Sequence, residues 1–132
     1  MYFLDTNTCI YFLNGRYISV INKFKQIKAD NIIIPSIVKA ELLFGAEKSQ
    51  KRTENIKILT RFLETFETAD FNSESAKHYA RIRSNLESSG TAIGPNDLLI
   101  ASIVIANNGI LITHNTREFS RIPDLHFEDW VS

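Results

Sequence analysis

Three acidic residues, Asp5, Glu41 and Asp97, lie far apart in the chain yet each sits beside a segment that reads as regular structure. Asp5 directly follows the apolar Tyr2-Phe3-Leu4, and Asn115 comes just after Ile110-Leu111-Ile112-Thr113. If both segments are buried strands, the residues behind them emerge at the strand carboxyl ends, where open parallel sheets bind ligands. Glu41 falls early in the helix expected after Ile32-Ile33-Ile34-Pro35, within side-chain reach of that edge. Asp97 opens an apolar helix, where the helix dipole and free N–H groups favour a carboxylate. Oxygen ligands of this kind suit hard cations such as Mg²⁺ or Mn²⁺. Two such ions roughly 3.5–4 Å apart activate a water and stabilise the leaving oxygen in phosphodiester cleavage. Without a cation the carboxylates would repel one another and raise their own pKa values. Each residue also has a plainer reading: Asp5 and Asn115 as turn residues, Glu41 as a solvated helix residue, Asp97 as a helix-terminus carboxylate.

The elements that must position these groups alternate in type. Tyr2 to Leu4 is too short and apolar for anything but a buried strand, and Asp5-Thr6-Asn7 reads as its polar turn. A helical turn over Cys9 to Leu13 closes at Asn14-Gly15. Ile18, Ile21, Phe24 and Ile27 recur at helical spacing, which predicts a helix to about Lys28. The β-branched Ile32-Ile33-Ile34 reads as a second strand, followed by a helix capped by Ser36 and running to Gly45. Ile56, Leu59, Leu63 and Phe66 mark an amphipathic helix. Ala76, Tyr79, Ile82 and Leu86 mark another, capped by Asn72 or Ser73 and stopped by Gly90. Asn96 is expected to cap the apolar helix from Asp97 to about Asn107, with Gly109 placed to terminate it. A third strand over Ile110 to Thr113 and a short fourth near Leu125 to Phe127 complete an α/β sandwich with a mostly parallel sheet.

The 132 residues suit one domain, residues 1–132, with room for a substantial core. A hydrophobic content of 44% against 23% charged residues argues against disorder. No apolar run approaches the ~20 residues needed to cross a bilayer. The single cysteine, Cys9, excludes an internal disulfide and a cysteine-built zinc site, reads as a small buried hydrophobe, and leaves a cytoplasmic setting as the expectation. The formal net charge of +0 excludes nucleic-acid binding by bulk electrostatics, so any such contact must use local basic clusters, bound cations or a partner.

Read together, four segments resemble the motifs of PIN-domain nucleases, in that family's order and across nearly the whole chain. These are Leu4-Asp5-Thr6-Asn7, Val38-Lys39-Ala40-Glu41-Leu42-Leu43-Phe44-Gly45, Gly94-Pro95-Asn96-Asp97-Leu98-Leu99-Ile100-Ala101, and Leu111-Ile112-Thr113-His114-Asn115-Thr116-Arg117-Glu118-Phe119. Within the family the chain is similar to the VapC toxins of type II toxin–antitoxin systems. The resemblance implies a PIN-like α/β/α sandwich with a central sheet of about four to five strands. It implies an Mg²⁺-dependent endoribonuclease, with Mn²⁺ able to substitute, that forms a homodimer and is held inactive by a VapB-type antitoxin. Asp5, Glu41 and Asp97 match the family's acidic ligand positions, and Asn7 and Thr113 match polar positions that support them. Many members carry an aspartate where this chain has Asn115, so an amide stands at the fourth position, with Glu118 a candidate to supply the missing carboxylate. The implied chemistry is attack of an activated water on phosphorus, with Asp5 or Asp97 orienting it or taking its proton.

The substrate this implies is RNA, with transfer RNA, the initiator included, as the leading candidate from the likeness to enteric VapC toxins. Lys48, Lys51 and Arg52 form a basic stretch near the expected active edge, and Arg117 flanks the last motif; all four are candidates to contact phosphates. Two rival readings are weighed against the nuclease. An aspartate-nucleophile phosphatase would need a second aspartate where Asn7 stands. A degenerate PIN domain that binds RNA or antitoxin without cutting is motivated by Asn115.

Overall fold

The computed structural model describes residues 1–131. The chain forms β1 (Tyr2–Leu4), α1 (Thr6–Asn14), α2 (Ile18–Gln26), β2 (Ile32–Pro35), α3 (Ser36–Glu47), α4 (Arg52–Glu64), β3 (Glu67–Ala69), α5 (Ser73–Ser88), α6 (Pro95–Ala106), β4 (Ile110–Ile112), α7 (Thr116–Phe119) and β5 (Phe127–Glu128). The strands form one sheet in the order β3-β2-β1-β4-β5, with every pairing parallel. Tyr2 registers with Ile32 on one side and Ile110 on the other, so β1 is the centre of the sheet. The chain winds outward through β2 and β3, then returns to the other side of β1 with β4. The reversal puts the switch point between β1 and β4, where such sheets open a crevice at their carboxyl ends.

Short central strands buried on both faces need apolar residues throughout, and Phe3, Leu4, Ile34, Leu111 and Ile112 are fully buried. Helix α6 is apolar on every side and buries Leu98, Ile100, Ala101, Ile103 and Val104, packing against α5 and α3. Its one buried hydroxyl, Ser102, donates back to the Leu98 carbonyl at 2.7 Å. Helix α3 packs against α4, α1 and α6, which brings the site-bearing helices together. Cys9 is completely buried, and burial pushes its thiol pKa well up, as expected for a cysteine used as a hydrophobe.

Several local expectations are corrected. Helix α1 begins at Thr6 rather than near Cys9, because the Asp5 carboxylate accepts the Thr8 N–H at 2.8 Å and caps it. Ser36 is the first residue of α3, not its cap; the helix leaves β2 at Pro35 with no side-chain cap. Asn96 lies inside the first turn of α6, whose cap position is Gly94, with Pro95 behind it. Phe66 falls beyond the end of α4 and instead packs on Phe62 with ring centroids 5.2 Å apart; the chain then enters β3, a strand absent from the sequence reading. The left-handed residue after α6 is Asn108 (φ 52°) rather than Gly109. Gly109 serves close approach: a Cβ there would collide with the Phe3 ring. Asn72, by contrast, caps α5 as expected, accepting the Ser75 N–H at 3.0 Å. The last strand is Phe127–Glu128, slightly beyond the expected stretch.

Candidate active site

At the carboxyl end of β1, Asp5 is 6% exposed, and its backbone N–H donates to the Ile112 carbonyl of β4 at 3.1 Å, stitching the switch point together. Burial raises the Asp5 pKa, while hydrogen bonds from Thr113 and Thr8 oppose the rise and nearby Glu41 adds to it. Thr113, completely buried at the end of β4, therefore works in two directions. Its hydroxyl reaches Asp5, and its oxygen accepts the Asn115 N–H at 3.0 Å. The Thr8 hydroxyl anchors the same junction by donating to the Ile112 carbonyl at 3.1 Å.

Glu41 projects from α3 and is held by two partners from other elements. The Thr6 hydroxyl donates to its Oε1, and the Asn96 amide donates to its Oε2 at 3.2 Å. Asp97, on the first turn of α6, is half-buried and its carboxyl is pushed up to about 6, first by desolvation and then by Glu118, Asp5 and Glu41. Glu118, on α7, accepts the Gly94 N–H at 2.6 Å and the Asn115 amide at 3.1 Å. The Gly94 bond leads the causes that hold the Glu118 carboxyl below its usual range.

Four carboxylates from β1, α3, α6 and α7 thus converge. Among the described residues no three His, Cys, Asp or Glu side chains form a ready-made metal cage. The Asp97 shift comes first from burial, with the neighbouring carboxylates adding to it, and a cation held there would offset both.

The structure separates the remaining candidates. Asn7 is exposed and, among the described residues, makes no side-chain hydrogen bond to the carboxylates; Thr6 and Thr8 do the holding on that helix. Lys48 lies over the Phe44 ring at 4.9 Å, beside Glu41 in a cleft of about 540 Å³ that Thr6 and Asn96 also line. Arg52 is paired with Glu47 at 2.6 Å, Lys51 occupies the cap position of α4, and Arg117 is exposed on α7. Thr6 and Asn96 were missed as supports because their partner lies dozens of residues away. Their only local signal is adjacency to Asp5 and Asp97.

The PIN domain family profile matches residues 2–125. The chain is 44% identical over 131 residues to Ribonuclease VapC2 of Rickettsia felis, covering 98% of each chain. It belongs to the PIN-domain family, among the VapC ribonucleases. It is also 35% identical to the tRNA(fMet)-specific endonuclease VapC of Salmonella typhimurium, over 98% of this chain and 97% of that one. In three dimensions it matches VapBC2 of Rickettsia felis bound to a DNA fragment from its promoter, with a TM-score of 0.91 at 44% identity and 98% coverage of both chains. It matches DNA-bound VapBC of Salmonella typhimurium with a TM-score of 0.92 at 35% identity, covering 98% of this chain and 97% of that one. The five-stranded parallel sheet flanked by helices is the PIN architecture, and PIN domains of the VapC group are ribonucleases. No helix among the described residues is long and apolar enough to cross a membrane.

Proposed function

We propose that the chain is an Mg²⁺-dependent endoribonuclease toxin of the cytoplasm. It hydrolyses a phosphodiester bond in transfer RNA, with the initiator as preferred target, and is inhibited by a cognate VapB-type antitoxin. The unit is residues 1–132 as one domain, working as a homodimer, and Mn²⁺ substitutes for Mg²⁺. The observation that carries the reading is the convergence of Asp5, Glu41, Asp97 and Glu118 at the β1–β4 switch point. The substrate rests on the Salmonella relative being a tRNA(fMet)-specific endonuclease, and the antitoxin on relatives solved as VapBC complexes.

Asp5, Glu41 and Asp97 are the residues that would hold Mg²⁺, with Glu118 and the Asn115 amide oxygen as further ligands. When bound, the cation supplies a more acidic water and charge stabilisation at the phosphate oxygens. Asp5 is fixed by Thr8 and Thr113 and gives the site a rigid floor. Glu41 is held in place by Thr6 and Asn96, so little reorganisation is left for the reaction. Asp97 is placed to orient the attacking water and accept its proton. Lys48, beside Glu41, meets the phosphate backbone, and Lys51, Arg52 and Arg117 extend that contact outward.

The test is cleavage of a total tRNA pool, and of initiator against elongator methionine tRNA, with Mg²⁺, Mn²⁺ or EDTA. Asp5→Ala and Asp97→Ala run alongside. Metal-dependent cutting that disappears in both variants supports the reading. A wild type that binds RNA and stays inert under every metal overturns it in favour of a degenerate binding domain.

A further inference from the structure

A second cluster, which includes the residue after Thr113, is left unused by the catalytic reading. Helix α1 ends at Gly15 in the left-handed region (φ 63°, ψ 28°), and the Arg16 N–H returns to the Tyr11 carbonyl at 3.0 Å. This reversal lays the Arg16 guanidinium over two rings, 5.5 Å from the Tyr11 centroid and 5.2 Å from that of Tyr17. The two tyrosines pack edge to face at 4.9 Å. His114, the residue after Thr113, closes the cluster with its ring 6.3 Å from each tyrosine. Asp129, just past β5, meets His114 Nδ1 at 2.8 Å and accepts the Val131 N–H at 2.9 Å, so the imidazole is oriented by an anchored carboxylate.

Arg16 and His114 are exposed, and Arg16 has no carboxylate partner among the described residues. An arginine pre-oriented on aromatic faces, without a counter-charge, is a recognition group more than a structural one. Aromatic faces joined to a guanidinium are how sequence-tolerant proteins hold unpaired nucleotides: bases stack while the cation meets the phosphate. The net charge of +0 leaves RNA to be held by local basic clusters, bound cations or a partner, and Arg16 is one such local cation. Position agrees, because His114 lies between Thr113, at the carboxyl end of β4, and Asn115, whose N–H donates to the Thr113 oxygen at 3.0 Å.

We propose that Tyr11, Arg16, Tyr17 and His114 form a docking subsite for an unpaired nucleotide of the RNA strand, next to the scissile phosphate. The proposal rests on the ribonuclease reading. Arg16 contacts a phosphodiester oxygen, and the Tyr17 and His114 rings receive the base.

The test is fluorescence anisotropy with a labelled single-stranded RNA of mixed sequence at low salt, with EDTA to stop cleavage. Arg16→Ala and Tyr17→Ala are each expected to weaken binding about tenfold, and Arg16→Ala to reduce the salt slope by about one. Tyr17→Phe should bind as wild type, and Arg16→Ala should retain the wild-type unfolding midpoint. In cleavage assays with Mg²⁺, Arg16→Ala should act through KM more than through kcat. If Tyr17→Ala fails to fold, Arg16→Ala decides. Wild-type RNA affinity in Arg16→Ala, with cleavage still lost in Asp97→Ala, overturns the subsite and leaves the ribonuclease standing. The subsite is equally overturned if Arg16→Ala loses only binding to an antitoxin peptide. A wild type that neither binds nor cuts RNA overturns both readings.

Discussion

Glu118 stands against Asp97 at the N-terminus of α6, and the two carboxylates are driven in opposite directions, Asp97 up to about 6 and Glu118 below its usual range. The Gly94 N–H, given to Glu118 at 2.6 Å, breaks the symmetry between them. Two carboxylates in one site share a charge badly, and the one with the better donors keeps it.

In chelator, this pair makes stability depend on pH. Asp97 titrates near 6 in the folded chain against an ordinary 3.8, so the native state holds a proton that the unfolded state has released. The group's favourable contribution is complete below about pH 4 and is lost as pH rises through 6. Asp97→Asn should therefore unfold at a higher temperature than wild type at pH 7, by on the order of 1–2 kcal/mol after allowance for solvent screening. The gap should close by about pH 4.5. Thermal unfolding across that range in EDTA checks it; a constant gap would contradict the assignment.

Glu118→Gln keeps an acceptor for the Gly94 N–H but removes the charge facing Asp97. The Asp97 carboxyl then moves down toward the ordinary range. In EDTA the pH dependence of stability that Asp97 causes should move to lower pH, and Mg²⁺ affinity should fall several-fold because a negative charge is gone. Thermal unfolding across pH in EDTA reads the first effect and Mg²⁺ titration reads the second.

Thr6→Val removes the hydroxyl that holds Glu41 while keeping the side chain's shape. Loss of a residue that orients a ligand costs roughly 10–100-fold in activity or metal affinity, with little change in the unfolding midpoint. Thr6→Ser should recover most of it. Asn96→Ala removes the longer bond to the other Glu41 oxygen and should cost less.

Gly109→Ala tests packing rather than chemistry. The added Cβ meets the Phe3 ring, which is completely buried in the central strand and has nowhere to retreat. Overpacking of this kind costs about 1–3 kcal/mol, read as a lowered denaturation midpoint with an unchanged slope. Phe3→Leu in the same chain should recover part of the loss, giving a non-additive pair.

The carboxylate edge was legible because Asp5 directly follows one apolar strand segment and Thr113 to Asn115 follow another, and a strand's carboxyl end dictates where the next side chains emerge. Helix α6 was legible for a similar reason, since an apolar stretch of that length has few other folds open to it. Strand β3 was not. Glu67-Thr68-Ala69 is a partly exposed edge that needs only one neighbour, and Phe66 carried on the helical spacing of Leu59 and Leu63. The roles of Thr6 and Asn96 depend on Glu41 being delivered by another helix, which no local pattern encodes. Gly109 was taken for a helix terminator because nothing nearby in the chain announces the Phe3 ring above it.

The central strand and β4, which completes the crevice with it, are separated in sequence by α1, α2, β2, α3, α4, β3, α5 and α6. Asp5 meets Ile112 and Thr113 only when those residues exist, and Thr113 is itself tied by its N–H to the Glu128 carbonyl. A chain in which β4 has not yet paired therefore holds Asp5 and Glu41 without the crevice between them. Pairing of β4 with β1 is therefore the step that assembles the site, and sheet and crevice are completed together.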